Sequence, residues 1–112
     1  MKNEEVFLVA ESWLVPGTFA QFKRFRVKAI DSLLSFGAEY AYHGHPFEWV
    51  IGEDDDLPTG IEVFLFASEA KARAAAISLL ELLHDFEAKA SIRKSRVYLS
   101  RHRSSTGLIE PK

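Results

Sequence analysis

The sequence predicts an α+β domain of the ferredoxin-like kind, a β-α-β-β-α-β sandwich, and three observations carry that reading. Runs with two-residue periodicity alternate with two stretches of helical apolar spacing, in the order β-α-β-(β)-β-α-β. Turn residues sit at the joints: Pro16-Gly17 before the first helical stretch, Gly37 after it, and Pro58 with Gly60 before a later strand. The length, 112 residues, allows one domain, and 47% hydrophobic residues with nine Phe supply an ample core.

Val6–Leu14 reads as the first strand, with Val6, Leu8, Ala10 and Leu14 on one face and Phe7, Val9, Glu11 and Trp13 on the other. Val15-Pro16-Gly17 ends it. Thr18 stands three residues before Gln21, the spacing of a capping box, in which a hydroxyl satisfies an orphan helix N–H. Phe19, Phe22, Arg26, Ile30, Leu33 and Phe36 then follow helical spacing, and Gly37 supplies a left-handed C-terminal residue.

The densest stretch is Ala38–Ile51, which holds Tyr40, Tyr42, Trp49, His43 and His45 and is the expected wall of any pocket. Ala38–His43 reads as a strand with Tyr40 and Tyr42 on one face and His43 on the other. Pro46 cannot donate to a ladder, so Gly44-His45-Pro46 turns or kinks the chain before an extended Phe47–Gly52. Ile61–Phe66 is a strand apolar on both faces except at Glu62. Ser68 can cap a second helix running from Ala72 to Phe86, and Ile92–Ser100 forms the last strand. The domain spans 1–103, and 104–112 reads as a polar tail.

Two helices on one side of an antiparallel sheet would cover Val6, Leu8, Ala10, Ile61, Val63, Leu65, Val97 and Leu99. The opposite face would then collect Phe7, Val9, Trp13, Phe64, Phe66 and Tyr98 with Glu11, His43, Glu62 and Arg96. Such a face projects roughly 300 Å², at the upper end of what a soluble monomer leaves bare. The expected cover is a second copy of the chain, so the expectation is a homodimer in which two sheets close a shared barrel.

The totals exclude several classes. The net charge of −2 favours neither nucleic acid nor a membrane surface as partner. No cysteine is present, so disulfides and thiolate zinc sites are absent, which agrees with a cytoplasmic protein. No apolar run approaches the length of a membrane helix. Neither a phosphate-cradling glycine loop, nor G-x-S-x-G, nor H-E-x-x-H occurs, and no cofactor is called for.

Val15-Pro16-Gly17-Thr18-Phe19 with Phe22, then Phe36-Gly37-Ala38 into Tyr40, His43-Gly44, Ile51-Gly52 and Phe66-Ala67-Ser68 form a pattern. On these motifs, over residues 6–100, the chain resembles the dimeric α/β-barrel superfamily, and within it the family known as domain of unknown function thirteen-thirty. The resemblance implies a ferredoxin-like fold, dimerisation and a pocket between helices and sheet or inside the barrel. For mechanism it implies only that pocket; if the protein is catalytic, the expected chemistry is cofactor-independent oxygenation, as in the superfamily's small monooxygenases, isomerisation or another proton transfer. The chain departs from the family at Val15, His43-Gly44-His45, Leu65 and Ser78-Leu79-Leu80-Glu81, so activity carried by those positions does not transfer.

Several residue sets are chemically suggestive. His43, Glu11, Glu62, Arg96 and Tyr98 share the expected barrel face, where buried ionisable groups must pair or shift their pKa. His43 is the candidate proton shuttle, with Glu11 or Arg96 its electrostatic partner. A structural ion-pair network between subunits explains the same set. Trp13, Tyr42, His45, Trp49, Glu62, Phe64 and Tyr98 are candidate ligand-binding residues for a small apolar or aromatic molecule, and core packing is the competing reading for the aromatic ones. His43 and His45, two apart, could meet a metal, but Gly44 and Pro46 argue against a regular strand there, and no metal is expected. Glu53–Asp56 lacks the alternating spacing of a calcium loop, and the basic run Lys89–Arg103 lacks an RNA-binding signature.

Overall fold

A computed structural model describes residues 4–52 and 56–101. The elements are β1 (Val6–Leu14), α1 (Phe19–Ser35), β2 (Glu39–Gly44), β3 (Gly60–Phe66), α2 (Glu69–Leu82), α3 (Phe86–Ser91) and β4 (Ile92–Arg101). The four strands form one antiparallel sheet in the order β2-β3-β1-β4, with both helical stretches packed on one side. This is the expected ferredoxin-like α+β architecture. Residues 45–52 belong to no strand, so the extended segment expected at Phe47–Gly52 is a loop. The proposed tail at 104–112 lies outside the described residues.

The core joins Val6 and Leu8 of β1, Phe64 and Phe66 of β3, Phe25 and Leu33 of α1, and Leu79 of α2. Where α2 and α3 meet it, Ala72, Ala75 and Ala88 are buried, and side chains this small let the helices approach closely. Burial of each large side chain contributes about 1.5–3 kcal/mol.

Register corrects the expected faces of β3. Val6 pairs with Phe66, Leu8 with Phe64 and Ala10 with Glu62, so Glu62, Phe64 and Phe66 share the helix side with β1's aliphatic residues. Ile61, Val63 and Leu65 take the open face instead. Both faces of this strand are apolar, so its amino acids alone do not fix its phase; the register against β1 is what places the phenylalanines in the core.

Strand β2 is corrected as well. Tyr40 pairs with Phe64 but Tyr42 pairs with Val63, so Ala41 is the extra residue of a β-bulge. Tyr40 and His43 therefore both lie on the helix side, and Tyr42 lies on the open face. A Cβ on Gly44 would stand 2.1 Å from the Tyr42 hydroxyl oxygen, and the phenol ring occupies the space a side chain would take.

Two caps differ in outcome. Ser68 accepts from the Lys71 N–H at 3.3 Å and caps α2 as expected. Thr18 makes no capping bond; its hydroxyl donates to the Val15 carbonyl at 2.6 Å and closes the turn before α1. The second helical stretch is broken at Leu83–Asp85, giving α2 and α3 in place of one helix through Phe86. Gly37 adopts φ +89°, as its place after α1 requires.

Candidate functional site

The five polar residues grouped by sequence divide between the two sides of the sheet. Glu11, Arg96 and Tyr98 lie on the open face: Arg96 Nε is 3.5 Å from Glu11, and the Tyr98 hydroxyl donates to Glu11 at 3.1 Å. Burial and that hydrogen bond push the Tyr98 pKa up. His43 and Glu62 lie on the helix side, so the expected partnership of His43 with Glu11 or Arg96 is not formed.

On the helix side His43 and Glu62 meet two residues that were not singled out as site residues. Arg26 projects from α1 toward β3, and its Nε donates to Glu62 Oε2. Its Nη2 donates to the Tyr40 hydroxyl at 2.5 Å and faces His43 Nδ1 at 3.4 Å. Tyr40 donates to the same Glu62 oxygen at 2.8 Å and stacks on Phe64, with ring centroids 4.8 Å apart. His43 Nε2 stands 3.8 Å from that carboxylate oxygen. The signal for Arg26 is in the sequence: it is a cation within the apolar stripe of α1, where a desolvated partner is needed. Tyr40 could not be placed before the bulge was known.

The electrostatics follow from this packing. Burial, then the bond to Glu62, raises Tyr40 to a pKa of about 12, so it stays a neutral donor. Burial also lowers His43, and the nearby Arg26 and His45 reinforce that, while Glu62 opposes it. The packing around His43 thus favours the neutral imidazole. Arg26 and Glu62 balance in charge.

This cluster stands where two clefts meet beneath α1. One is a narrow, partly open cleft lined by apolar residues such as Phe22, Phe25, Ile30, Phe64 and Leu79. The other, also narrow and partly open, is lined by Phe19, Phe22, His43, His45, Thr59 and Glu62. Glu62 lines both. An apolar body with a few convergent polar groups is the common form of a small-molecule site.

The other sequence candidates fall elsewhere. Trp13 is on the open face but is only 2% exposed, because residues 56–58 fold over it and its Nε1 donates to the Asp56 carbonyl at 2.9 Å. Trp13, Trp49, Glu11 and Arg96 line an open-face cleft away from the His43 cluster. Phe64 belongs to the core, and Tyr42 and Tyr98 are exposed on the open side. Among the described residues no group of three His, Cys, Asp or Glu is placed to hold a metal ion. The cations of β4 face acids: Arg93 and Lys94 meet Asp56, Arg96 meets Glu11, and Arg101 meets Glu69. No helix among the described residues is long and apolar enough to cross a membrane.

No protein-family model matches the sequence, and no curated protein matches it significantly. Solved structures do match. A protein of unknown function from Rhodopseudomonas palustris is 12% identical with a TM-score of 0.64, covering 91% of this chain and 85% of that one. An uncharacterized NIPSNAP-like domain protein from Burkholderia xenovorans is 11% identical with a TM-score of 0.60, covering 98% and 91%. SnoaB from Streptomyces nogalater, a cofactor-independent oxygenase, is 18% identical with a TM-score of 0.58, covering 96% and 99%. The chain thus has the ferredoxin-like fold of NIPSNAP-like proteins and SnoaB, and at these identities the likeness is one of fold.

Proposed function

We propose that this is a homodimeric α/β-barrel enzyme that works without a cofactor on a small, largely apolar molecule bound between α1 and the sheet. Its chemistry would be proton transfer, the opening step of an isomerisation or of a cofactor-independent oxygenation. One observation carries the reading: a neutral imidazole, His43, and the charge-balanced group Arg26–Glu62–Tyr40 converge at an otherwise apolar cleft. A fold shared with a cofactor-independent oxygenase supports it by analogy. The motif likeness to the domain of unknown function thirteen-thirty family adds nothing on mechanism, because the family's polar positions differ here. A cytoplasmic location belongs to the same proposal, on the absence of cysteine.

The test is thermal stabilisation by a panel of small phenols, enolisable ketones and acyl compounds, since a ligand that binds only the folded state raises Tm. We expect at least one compound to stabilise the wild type and to lose that effect in a folded His43→Ala or Glu62→Ala variant. A panel with no stabilising member, or one whose effect both variants retain, defeats the reading.

A second reading, a non-catalytic dimer, rests on a different observation. Glu11, Arg96 and Tyr98 form a polar group on the open face, amid Phe7, Val9, Val63 and Leu65, where it would tie two subunits together. If Arg96→Ala lowers the dimer's affinity while His43→Ala changes nothing measurable, the second reading is preferred.

A further inference from the structure

We propose that His45, not His43, presents the basic nitrogen of the cleft: its Nδ1–H is bound to the Thr59 carbonyl, which leaves the lone pair on Nε2. This rests on the functional reading above and names the atom that would act in it.

The tautomers follow from which groups can only donate or only accept. His45 Nδ1 is 3.1 Å from the Thr59 carbonyl oxygen, and a carbonyl can only accept, so Nδ1 carries the proton. His43 is the reverse. A guanidinium can only donate, so Nδ1 of His43, 3.4 Å from Arg26 Nη2, is the acceptor and the proton sits on Nε2, which lies 3.8 Å from Glu62, beyond hydrogen-bond reach. Two imidazoles of opposite tautomer thus stand edge to face with centroids 4.8 Å apart. The lone pair of His43 thus faces the Arg26 guanidinium, whereas among the described residues Nε2 of His45 has no hydrogen-bond partner.

The orienting carbonyl is itself fixed. Thr59 N–H donates to the Ser12 carbonyl at 2.7 Å, and its hydroxyl accepts from the Leu14 N–H at 3.1 Å, so β1 pins Thr59 from two directions. Pro46 restricts His45 to an extended backbone. Gly60 packs beside the ring, where a Cβ would lie 4.0 Å from Nδ1. His45 lines the same cleft as His43 and Glu62. This is the arrangement of a base held by an orienting group.

The substrate would carry an acidic O–H or an activated C–H on a small apolar body. In the step, that bond breaks, a new N–H bond forms at Nε2, and the electron pair stays on the substrate. His45 becomes an imidazolium held by Thr59, and His43 acts as a positioning residue against its edge.

Two-bond proton–nitrogen spectra of the ¹⁵N-labelled full chain near neutral pH test the assignment. The signals are identified by their loss in His45→Gln and His43→Gln. The expected result is the Nδ1–H form at His45 and the Nε2–H form at His43; an Nε2–H form or a fast mixture at His45 overturns the proposal. A second measurement needs no variant. Diethyl pyrocarbonate, which acylates an unprotonated imidazole nitrogen, should modify His45 several-fold faster than His43 in the wild type, and the reverse order overturns the proposal. Ligand stabilisation with an Nε2–H His45 would defeat this assignment alone. An Nδ1–H His45 in a cleft that binds nothing would defeat the functional reading and the base role with it.

Discussion

Arg26 on α1 donates through Nε to Glu62 on β3, and this pair joins the helical layer to the sheet at the mouth of the cleft. Tyr40 donates to the same carboxylate oxygen at 2.8 Å, so one acceptor serves two donors from two different elements.

Replacing Glu62 by Leu removes the acceptor of both. The guanidinium is left partly buried without its acid, and the cost should be about 1–3 kcal/mol in urea unfolding. The double variant Arg26→Met/Glu62→Leu should recover part of that loss, because removing both partners leaves no unmatched charge. A double variant as unstable as the single one would show that the pair does not act as a unit.

Tyr40 should titrate near pH 12, against 10.0 for a free phenol, when followed by phenolate absorbance at 295 nm. Its folded pKa is raised, so its share of stability is complete below pH 10 and declines as the pH climbs toward 12. In Glu62→Gln the midpoint should fall, because the carboxylate's charge no longer opposes ionisation. Burial keeps it above the free value.

His43 should show an imidazole midpoint below 6.5 in an NMR titration. For a depressed folded pKa, the stability contribution is present above pH 6.5 and lost as the pH falls through the folded value. Arg26→Met should raise the midpoint and Glu62→Gln should lower it further, since their charges act in opposite directions. Shifts of the same sign in both variants would contradict this electrostatic account.

Phe64→Ala should destabilise the fold by about 3–5 kcal/mol and leave the association state unchanged, because the ring is 1% exposed on the helix side. Val63→Lys, one residue earlier and on the open face, should do the opposite: dissociate a dimer in sedimentation velocity while the subunit keeps its fold.

Val63 and Phe64 mark the limit of what the sequence conveys, since their faces are set by pairing and not by composition. Strand β1 was legible because Val6, Leu8 and Ala10 alternate with a set containing Glu11, and a polar residue fixes the phase. In β3, Ile61, Val63 and Leu65 alternate with Phe64 and Phe66, so both phases bury apolar area and only the pairing with Val6 and Leu8 decides. Glu62 could not settle it, since its acceptor role depends on Arg26 arriving from α1. The candidate site was half legible. His43, His45 and Glu62 do converge, but Glu11, Arg96 and Tyr98 stand across the sheet from them. The cause is local: the bulge at Ala41 and the phase of β3 are properties of paired strands, and neither leaves a mark on one strand's own composition.

That single inserted residue makes β2 serve two environments. Tyr40 and His43 address the cleft while Tyr42, between them, points the other way. Excising Ala41 would restore strict alternation with every remaining residue on its present face, whereas a regular strand that kept Ala41 would have to exchange the faces on one side of it. Tyr42 is directly bonded in sequence to His43, so the open face and the cleft are joined here by a single peptide bond.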